Sequence, residues 1–350
     1  MNMLKALPRV SVVVIGQNEE EFLENCFKSI LDMNYPRDLI EIVYVDSNST
    51  DRSLEIASVY ASKVIARNQA RPTAGLSFNL GVDASSHDYV QILGGDMFID
   101  RDFVVKAIKA FDRYDNTLAA VEGRFSVPDR GGWEKLISYR NEQDRNYDEH
   151  FVDAPGAGLF KKTALYEVNG YDERIKKGQE TDLGTRLREA GYKILYISQA
   201  QGLNNFDPLS FYGLLKRSLR EGFNLGINAL VSLKEPKNTF LRNQRKSTAK
   251  SVGRFFTLVL ALIFAIVFDV RIMILAVLID LLILARQLTK RGSDTLNYKK
   301  YKVLQYYIGL LRAVGAVQAL VSYPLSKENS SFIYAPMKGL KGLQDRILWK

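Results

Sequence analysis

Cysteine and histidine are nearly absent from this chain. Cys26 is the only cysteine, which excludes an intramolecular disulfide and a cysteine zinc cluster. His87 and His150 are the only histidines, so a histidine-rich metal site is excluded and a Ser-His-Asp triad has few candidates. The opening MNMLKALPRV holds no apolar stretch long enough for a secretory leader, so the N-terminal part is expected to stay in the cytosol. Internal repeats and low-complexity tracts are lacking as well. Positive charge is plentiful but uneven. The net charge is +9, of which 234–254 carries +6 and 286–302 carries +5, leaving −2 for the rest. The basic residues bracket an apolar region instead of covering a fold. That pattern favours a membrane surface over nucleic acid as the partner.

A hydrophobic content of 47% over 350 residues is ample for a packed core. Residues 9–205 alternate short apolar runs with helical patterns. Val10–Ile15 reads as a buried strand, Ile40–Val45 as a second, Lys63–Ala66 as a short third and Tyr89–Leu93 as a fourth. Between them, Glu19–Leu31, a stretch from Thr50-Asp51 to about Tyr60, and Leu76–Ala84 read as helices, with Thr50 or Asp51 as a cap for the second. This order predicts an α/β fold, a mostly parallel Rossmann-like sheet flanked by helices. Ligands of such sheets bind outside the carboxyl ends of the strands.

Four domains or segments are expected: a catalytic domain over 1–205, a connector over 206–250, a helical hairpin over 251–290, and an apolar helix with a basic tail over 291–350. The connector carries an amphipathic helix from Pro208 to about Leu230, with Lys216, Arg217 and Arg220 among its apolar residues, and reads as an interfacial helix. Phe255–Phe268 has no charge and Ile272–Ala285 has only Asp280, so the pair is expected to form a transmembrane hairpin with both ends in the cytosol. A re-entrant or interfacial hairpin is the alternative. Val303–Tyr323 is interrupted by Gln305, Arg312 and Gln318, and reads as an interfacial helix.

The polar residues that follow the strands are the informative ones. The first strand runs into Gln17-Asn18-Glu19-Glu20, and the second into Asp46-Ser47-Asn48-Ser49-Thr50-Asp51. The fourth runs into Gly94-Gly95-Asp96-Met97, and further on stands Gly178-Gln179-Glu180-Thr181-Asp182-Leu183 with Arg186-Leu187 and Gly191-Tyr192. In this order the four segments resemble the family 2 glycosyltransferases of the GT-A fold. Pro155-Gly156-Ala157-Gly158 through Gly170-Tyr171-Asp172-Glu173 resembles the stretch that family places before its last motif. The resemblance covers roughly residues 9–205.

The resemblance implies an inverting, metal-dependent hexosyltransferase that moves a sugar from a nucleotide-diphosphate donor to a lipid-linked or saccharide acceptor. Asn18, Glu19, Asp46, Ser47, Asn79, Gly94, Gly95 and Asp96 would then form the donor site. A departing diphosphate needs its charge neutralised, commonly by a divalent cation on carboxylate oxygen. Asp96 would hold Mg²⁺ or Mn²⁺, and Gly94 and Gly95 would let the backbone approach the phosphates. Two departures stand out: Gly94 replaces the first Asp of the family's Asp-x-Asp turn, and Ser47 stands where many relatives carry an Asp that reads uracil. Glu180 takes the place of the catalytic base, a role a carboxylate fills by accepting the acceptor's hydroxyl proton. Asp182 would support or cap it, and Arg186 would pair with a carboxylate or phosphate. Gly156, Ala157 and Gly158 would receive the acceptor sugar. His150 and Trp133 are lesser candidates, the first for a phosphate and the second for a lid or acceptor platform. The expected site of action is the cytoplasmic face of the cell membrane, in polysaccharide or glycolipid assembly. The competing reading is an inactive nucleotide-sugar-binding relative or a membrane adaptor.

Overall fold

The computed structural model describes residues 7–66, 73–114, 116–126, 149–175, 177–204, 211–234, 238–267, 312–314, 316–317 and 347–349. Trp133, the far arm of the expected hairpin and most of Val303–Tyr323 lie outside the described residues. The chain divides into two compact units, one of Met1–Pro128, Tyr147–Phe206 and Tyr334–Lys350, the other of Asp129–Asn146 and Asp207–Ile333.

The first unit begins with β1 (Val10–Gly16), α1 (Leu23–Leu31), β2 (Ile40–Asp46), α2 (Ser53–Tyr60), β3 (Lys63–Ala66), α3 (Ala74–Ala84) and β4 (Tyr89–Gly94). These are the expected elements. Helix α1 starts four residues later than its periodicity suggests. The backbone N–H groups of Glu19 and Glu20 are taken by Ser53 Oγ at 2.9 Å and Asp51 Oδ2 at 3.1 Å, so this stretch serves a loop junction before the helix begins. The chain continues through β5 (Met97–Ile99), α4 (Phe103–Arg113), β6 (Leu118–Ser126), β7 (His150–Phe151), β8 (Leu159–Lys161), α5 (Lys162–Glu167), α6 (Gln179–Glu189), β9 (Lys193–Asn204) and β10 (Ile347–Trp349).

One sheet joins all ten strands in the order β10-β3-β2-β1-β4-β8-β6-β9-β5, with β7 on β9. The expectation of a mostly parallel sheet is corrected here. Strands β1 to β4 pair in parallel, as do β6 and β9, but β4–β8, β6–β8, β5–β9, β7–β9 and β3–β10 are antiparallel. Strands β5, β7 and β8 are two or three residues long, too short to carry a periodic signal. The pleat of β1 and β2 divides the core in two. Val10, Val12, Val14, Ile42 and Tyr44 face α1, α2 and α4, where Phe27 stacks on Tyr60 at 5.4 Å. Val13, Val43 and Val45 face α3, α5 and α6 with Phe78, Leu165, Leu183 and Leu187. Both layers leave the carboxyl ends of β1, β2 and β4 side by side, since Gly16 is level with Asp46 and Ile15 with Gly94.

The second unit contains α7 (Phe211–Lys234) and α8 (Thr239–Val267), which pack on each other. Helix α7 is the expected amphipathic helix shifted by a few residues. Helix α8 runs unbroken through the expected boundary at 250. Among the described residues no helix is long and apolar enough to cross a membrane. The first half of α8 carries Arg242, Arg245, Lys246, Lys250 and Arg254. Its described charge-free part, Phe255–Val267, rises about 20 Å.

Candidate active site

The carboxyl ends of β1, β2 and β4 open into a cavity of about 260 Å³, lined by Ile15, Gly16, Gln17, Glu19, Ser47, Thr73, Ala74, Gly94, Gly95 and Asp96. Five of the expected donor residues therefore meet at one place: Glu19, Ser47, Gly94, Gly95 and Asp96. The glycines leave room there for their neighbours. A Cβ on Gly94 would lie 2.7 Å from Asp96 Oδ1, and one on Gly95 would lie 3.1 Å from Cβ and Cγ of Glu19. The Asp96 carboxylate lies over Gly94, and the Glu19 side chain packs its Cβ and Cγ on Gly95. Beneath them lies the buried Cys26, whose Sγ approaches Gly94 O at 3.7 Å. Burial, and after it the charges of Asp96 and Glu19, push the Cys26 thiol far up, so it stays protonated. Ser47 shares a hydrogen bond of 2.9 Å with Ser77 of α3.

Other expected donor residues shape the wall without lining it. Asn18 is exposed with φ +58°, and its Oδ1 accepts from Thr50 N at 2.8 Å while its own N–H donates to Ser49 Oγ at 2.9 Å. With Glu20 N donating to Asp51 and Arg52 N to Glu20, the loops after β1 and β2 are joined into one body. Asp46 is 2% exposed; its Oδ2 accepts from Ser49 N at 2.8 Å and its Oδ1 from the Tyr44 hydroxyl at 3.3 Å. It braces the loop that presents Ser47. Asn79 is buried and does not line the cavity. Its amide donates to Tyr171 O at 2.9 Å and Glu173 Oε1 at 3.1 Å and accepts from Tyr171 N at 2.8 Å. This fastens α3 to residues 171–173, and Asn79 is not among the residues that line the cavity.

The fourth motif sits at the start of α6, after Gly178 in the left-handed conformation at φ +82°. Glu180 and Asp182 part company there. Asp182 is fully buried, and its Oδ2 accepts from Arg186 Nη2 at 2.6 Å and Nε at 2.8 Å, while Arg186 Nη1 donates to Val168 O at 2.5 Å. Asp182 and Arg186 are thereby committed to holding α6 in place. Glu180 is half-buried. Its charge reaches the buried Tyr171 phenol, which burial first and Glu180 second push up. Tyr171 in turn packs on the first turn of α3, with its Cβ 3.1 Å from where a Gly75 Cβ would stand. Glu180 also lies one helical turn before Gly184, on the face of α6 that meets Asp153–Pro155. A Cβ at Gly184 would fall 2.3 Å from Asp153 O. The segment 156–158 follows directly and runs beside the end of β4, since Leu159 is level with Gln91 and Ile92 N donates to Gly158 O at 3.2 Å. Glu180, the 156–158 turn and the cavity therefore occupy one end of the sheet. His150 lies on β7 against Tyr196, with ring centroids 5.1 Å apart.

The model of the family described as Glycosyl transferase family 2 matches residues 11–168. Over this stretch the chain is similar to the family 2 glycosyltransferases. The chain is 24% identical to glycosyltransferase AglE of Haloferax volcanii, over 63% of this chain and 74% of that protein. It is 26% identical to the dolichyl N-acetyl-alpha-D-glucosaminyl phosphate 3-beta-D-2,3-diacetamido-2,3-dideoxy-beta-D-glucuronosyltransferase of Methanococcus voltae, over 53% of this chain and 63% of that one. With the probable glycosyltransferase YdaM of Bacillus subtilis it shares 29% identity over 56% of this chain and only 50% of the relative. Among solved structures, the mannosyltransferase PcManGT from Pyrobaculum calidifontis, in complex with GDP-Man and Mn²⁺, superposes with a TM-score of 0.58 at 16% identity over 91% of this chain and 88% of that one. That likeness shows the fold alone.

Several residues lining the cavity were not picked out from the sequence as site candidates. Thr73 is the clearest. Its Oγ1 caps α3 by accepting from Leu76 N at 3.1 Å and also donates to Glu173 O at 3.3 Å. The cap turns the positive end of α3 toward the cavity. A Thr three residues before the apolar run is a readable N-cap signal. Gln17 and Ile15 had no such signal, since their place depends on the length of β1.

Proposed function

We propose that this protein is an inverting, divalent-metal-dependent glycosyltransferase that moves a hexose from a nucleotide-diphosphate donor to a lipid-linked or saccharide acceptor. The observation that carries the reading is the cavity lined by Gly94, Gly95, Glu19 and Asp96, at the same end of the sheet as Glu180. In this reading Asp96 and Glu19 hold Mg²⁺ or Mn²⁺. Among the described residues there is no group of three or more His, Cys, Asp or Glu able to hold a metal. Two acidic residues lining one cavity nevertheless fit a hard cation whose remaining ligands are phosphate oxygens and water. Bound there, the ion would neutralise charge on the departing diphosphate. Glu180 accepts the proton of the acceptor hydroxyl as it attacks the anomeric carbon from the opposite side. The α3 N-terminus and the close backbone at Gly94–Gly95 receive the phosphates.

Support for the substrate classes comes from the relatives. PcManGT is named with GDP-Man and the Methanococcus voltae enzyme with a dolichyl-phosphate-linked sugar. The basic and apolar C-terminal half supports a lipid-linked acceptor and action at the cytoplasmic membrane face. Purified protein is to be tested against UDP-, dTDP- and GDP-sugars, with Mg²⁺ or Mn²⁺ and a panel of polyprenyl-phosphate-linked and free saccharides. Transfer with at least one pair is expected, together with its loss in EDTA. Binding of a donor without hydrolysis or transfer would favour the inactive relative, for which Gly94 in place of an Asp is the supporting feature. No binding of any donor would end the reading altogether.

A further inference from the structure

The 156–158 turn is held by three side chains from three strands that no motif assigns. Gln91 of β4 donates from Nε2 to Ala157 O at 2.7 Å and to Ile92 O at 3.0 Å. Gln201 of β9 donates from Nε2 to the same Ala157 O, while its Oε1 accepts from Gly123 N at 2.8 Å. Glu122 of β6 accepts from Gly156 N through Oε2 at 2.5 Å. Gln91 and Gln201 are 0% and 1% exposed, so these are interior contacts fixed by packing. Backbone hydrogen bonding in a sheet needs no such help. Yet the strands here spend two buried amides on one carbonyl of a turn. Gln91 Oε1 is buried with no hydrogen-bond partner among the described residues. A buried amide oxygen left so is costly, and an apolar residue would pack β4 without that cost. The amide therefore earns its place through the carbonyl it fixes.

The consequence for the turn is geometric. A Cβ on Gly156 would meet Glu122 Oε2 at 2.9 Å and one on Gly158 would meet Val121 O at 2.8 Å. The turn is pressed into the sheet beside Gly94 from one side. From the other, the preceding Asp153–Pro155 is pressed against α6 one turn from Glu180. We infer that Gln91, Gln201 and Glu122 are positioning residues that set the height of the 156–158 turn between the diphosphate cavity and Glu180, and so hold the acceptor hydroxyl in reach of the base. This rests on the reading of 156–158 as the acceptor turn. The predicted signature is a fault in acceptor use alone, because none of the three side chains lines the donor cavity.

The test measures steady-state kinetics of the full chain with the donor and acceptor pair that wild type uses, next to nucleoside diphosphate release in the absence of acceptor. Gln91→Met, Gln201→Met and Glu122→Leu are each expected to raise acceptor KM by on the order of tenfold, with donor KM and acceptor-free donor hydrolysis within about twofold of wild type. Glu122→Gln keeps an acceptor for Gly156 N–H and is expected to rescue. Glu122 is partly exposed, so its pair of variants remains informative if the buried glutamine variants fold poorly. Equal loss of donor and acceptor parameters, or failure of Glu122→Gln to differ from Glu122→Leu, overturns the inference and leaves these residues as ordinary framework. A wild-type protein that transfers to no acceptor sinks the enzymatic reading and this one with it. A wild type that transfers, with variants of unchanged acceptor KM, sinks this one alone.

Discussion

Two acidic residues two positions apart on α6 have opposite fates. Successive helical residues are about 100° apart, so a step of two turns a side chain to nearly the opposite face. Asp182 goes inward to Arg186, and Glu180 remains half-buried on the face that meets Asp153–Pro155. The two substitutions should therefore separate cleanly. Glu180→Gln keeps shape and loses the basic oxygen, so kcat should fall by on the order of 10²–10⁴ while donor affinity by calorimetry stays within about twofold. A variant with wild-type turnover would remove Glu180 as the base. Asp182→Asn leaves the Arg186 guanidinium without its counter-charge and should cost about 2–3 kcal/mol of stability, a drop of several degrees in melting temperature. Its kcat per folded molecule should change little; a loss matching that of Glu180→Gln at unchanged stability would give Asp182 a chemical role. From sequence alone Glu180 was read as the base and Asp182 as its support or cap, but whether the two share a face is decided only once α6 is known to begin at Gln179.

At the scale of elements, the sheet is tied together at the end remote from the cavity by a charged cluster. Glu41 of β2 accepts from Ser11 Oγ of β1 at 2.5 Å, from Ser86 N at 2.7 Å and from Ser86 Oγ at 2.8 Å, and pairs with Lys63 of β3 at 2.7 Å. Burial alone would raise the Glu41 carboxyl, but Lys63, Ser11 and Ser86 together pull it from an ordinary 4.5 down to about 2. A carboxyl lowered on folding stabilises the fold above its unfolded value and loses that contribution as pH falls towards the folded one. Between pH 4.5 and 2 the protein should thus give up about 3 kcal/mol through this one group. Glu41→Gln should flatten stability against pH in that window, read by denaturant unfolding; an unchanged acid profile would remove Glu41 as its source. Sequence reading fared unevenly over these same elements. Strands β1 to β4 and helices α1 to α3 were legible because β-branched runs and helical spacing act locally. The antiparallel half was not, since β5, β7 and β8 are fixed by pairing with distant strands. The cavity was legible where a motif ends a strand, as at Gly94-Gly95-Asp96. Asn79 was not, because its partners lie 92 and 94 residues away.

At the scale of the whole molecule, charge and apolarity are divided between the two units, and α8 concentrates both. Its exposed residues Arg242, Asn243, Lys246, Ala249, Lys250, Gly253 and Phe256 fall on one side of the helix at about 100° per residue. Phe240, Leu241 and Thr248 are buried. The exposed face is cationic for its first three turns and ends in an aromatic ring that is 47% exposed. Such a stripe suits an anionic lipid surface: each basic residue near the headgroups contributes about 1 kcal/mol, and a Phe can enter the interface. The full chain should bind vesicles containing phosphatidylglycerol and bind pure phosphatidylcholine at least tenfold more weakly. The difference should shrink in 0.5 M salt, where the screening length falls to about 4 Å. Reversing Arg242, Lys246 and Lys250 to Glu should abolish the preference while leaving donor binding in the first unit unaltered. Equal binding to both vesicle types, or a preference that survives the triple reversal, would mean that the basic face of α8 meets something other than anionic lipid, and the case for a lipid-linked acceptor would lose its independent support.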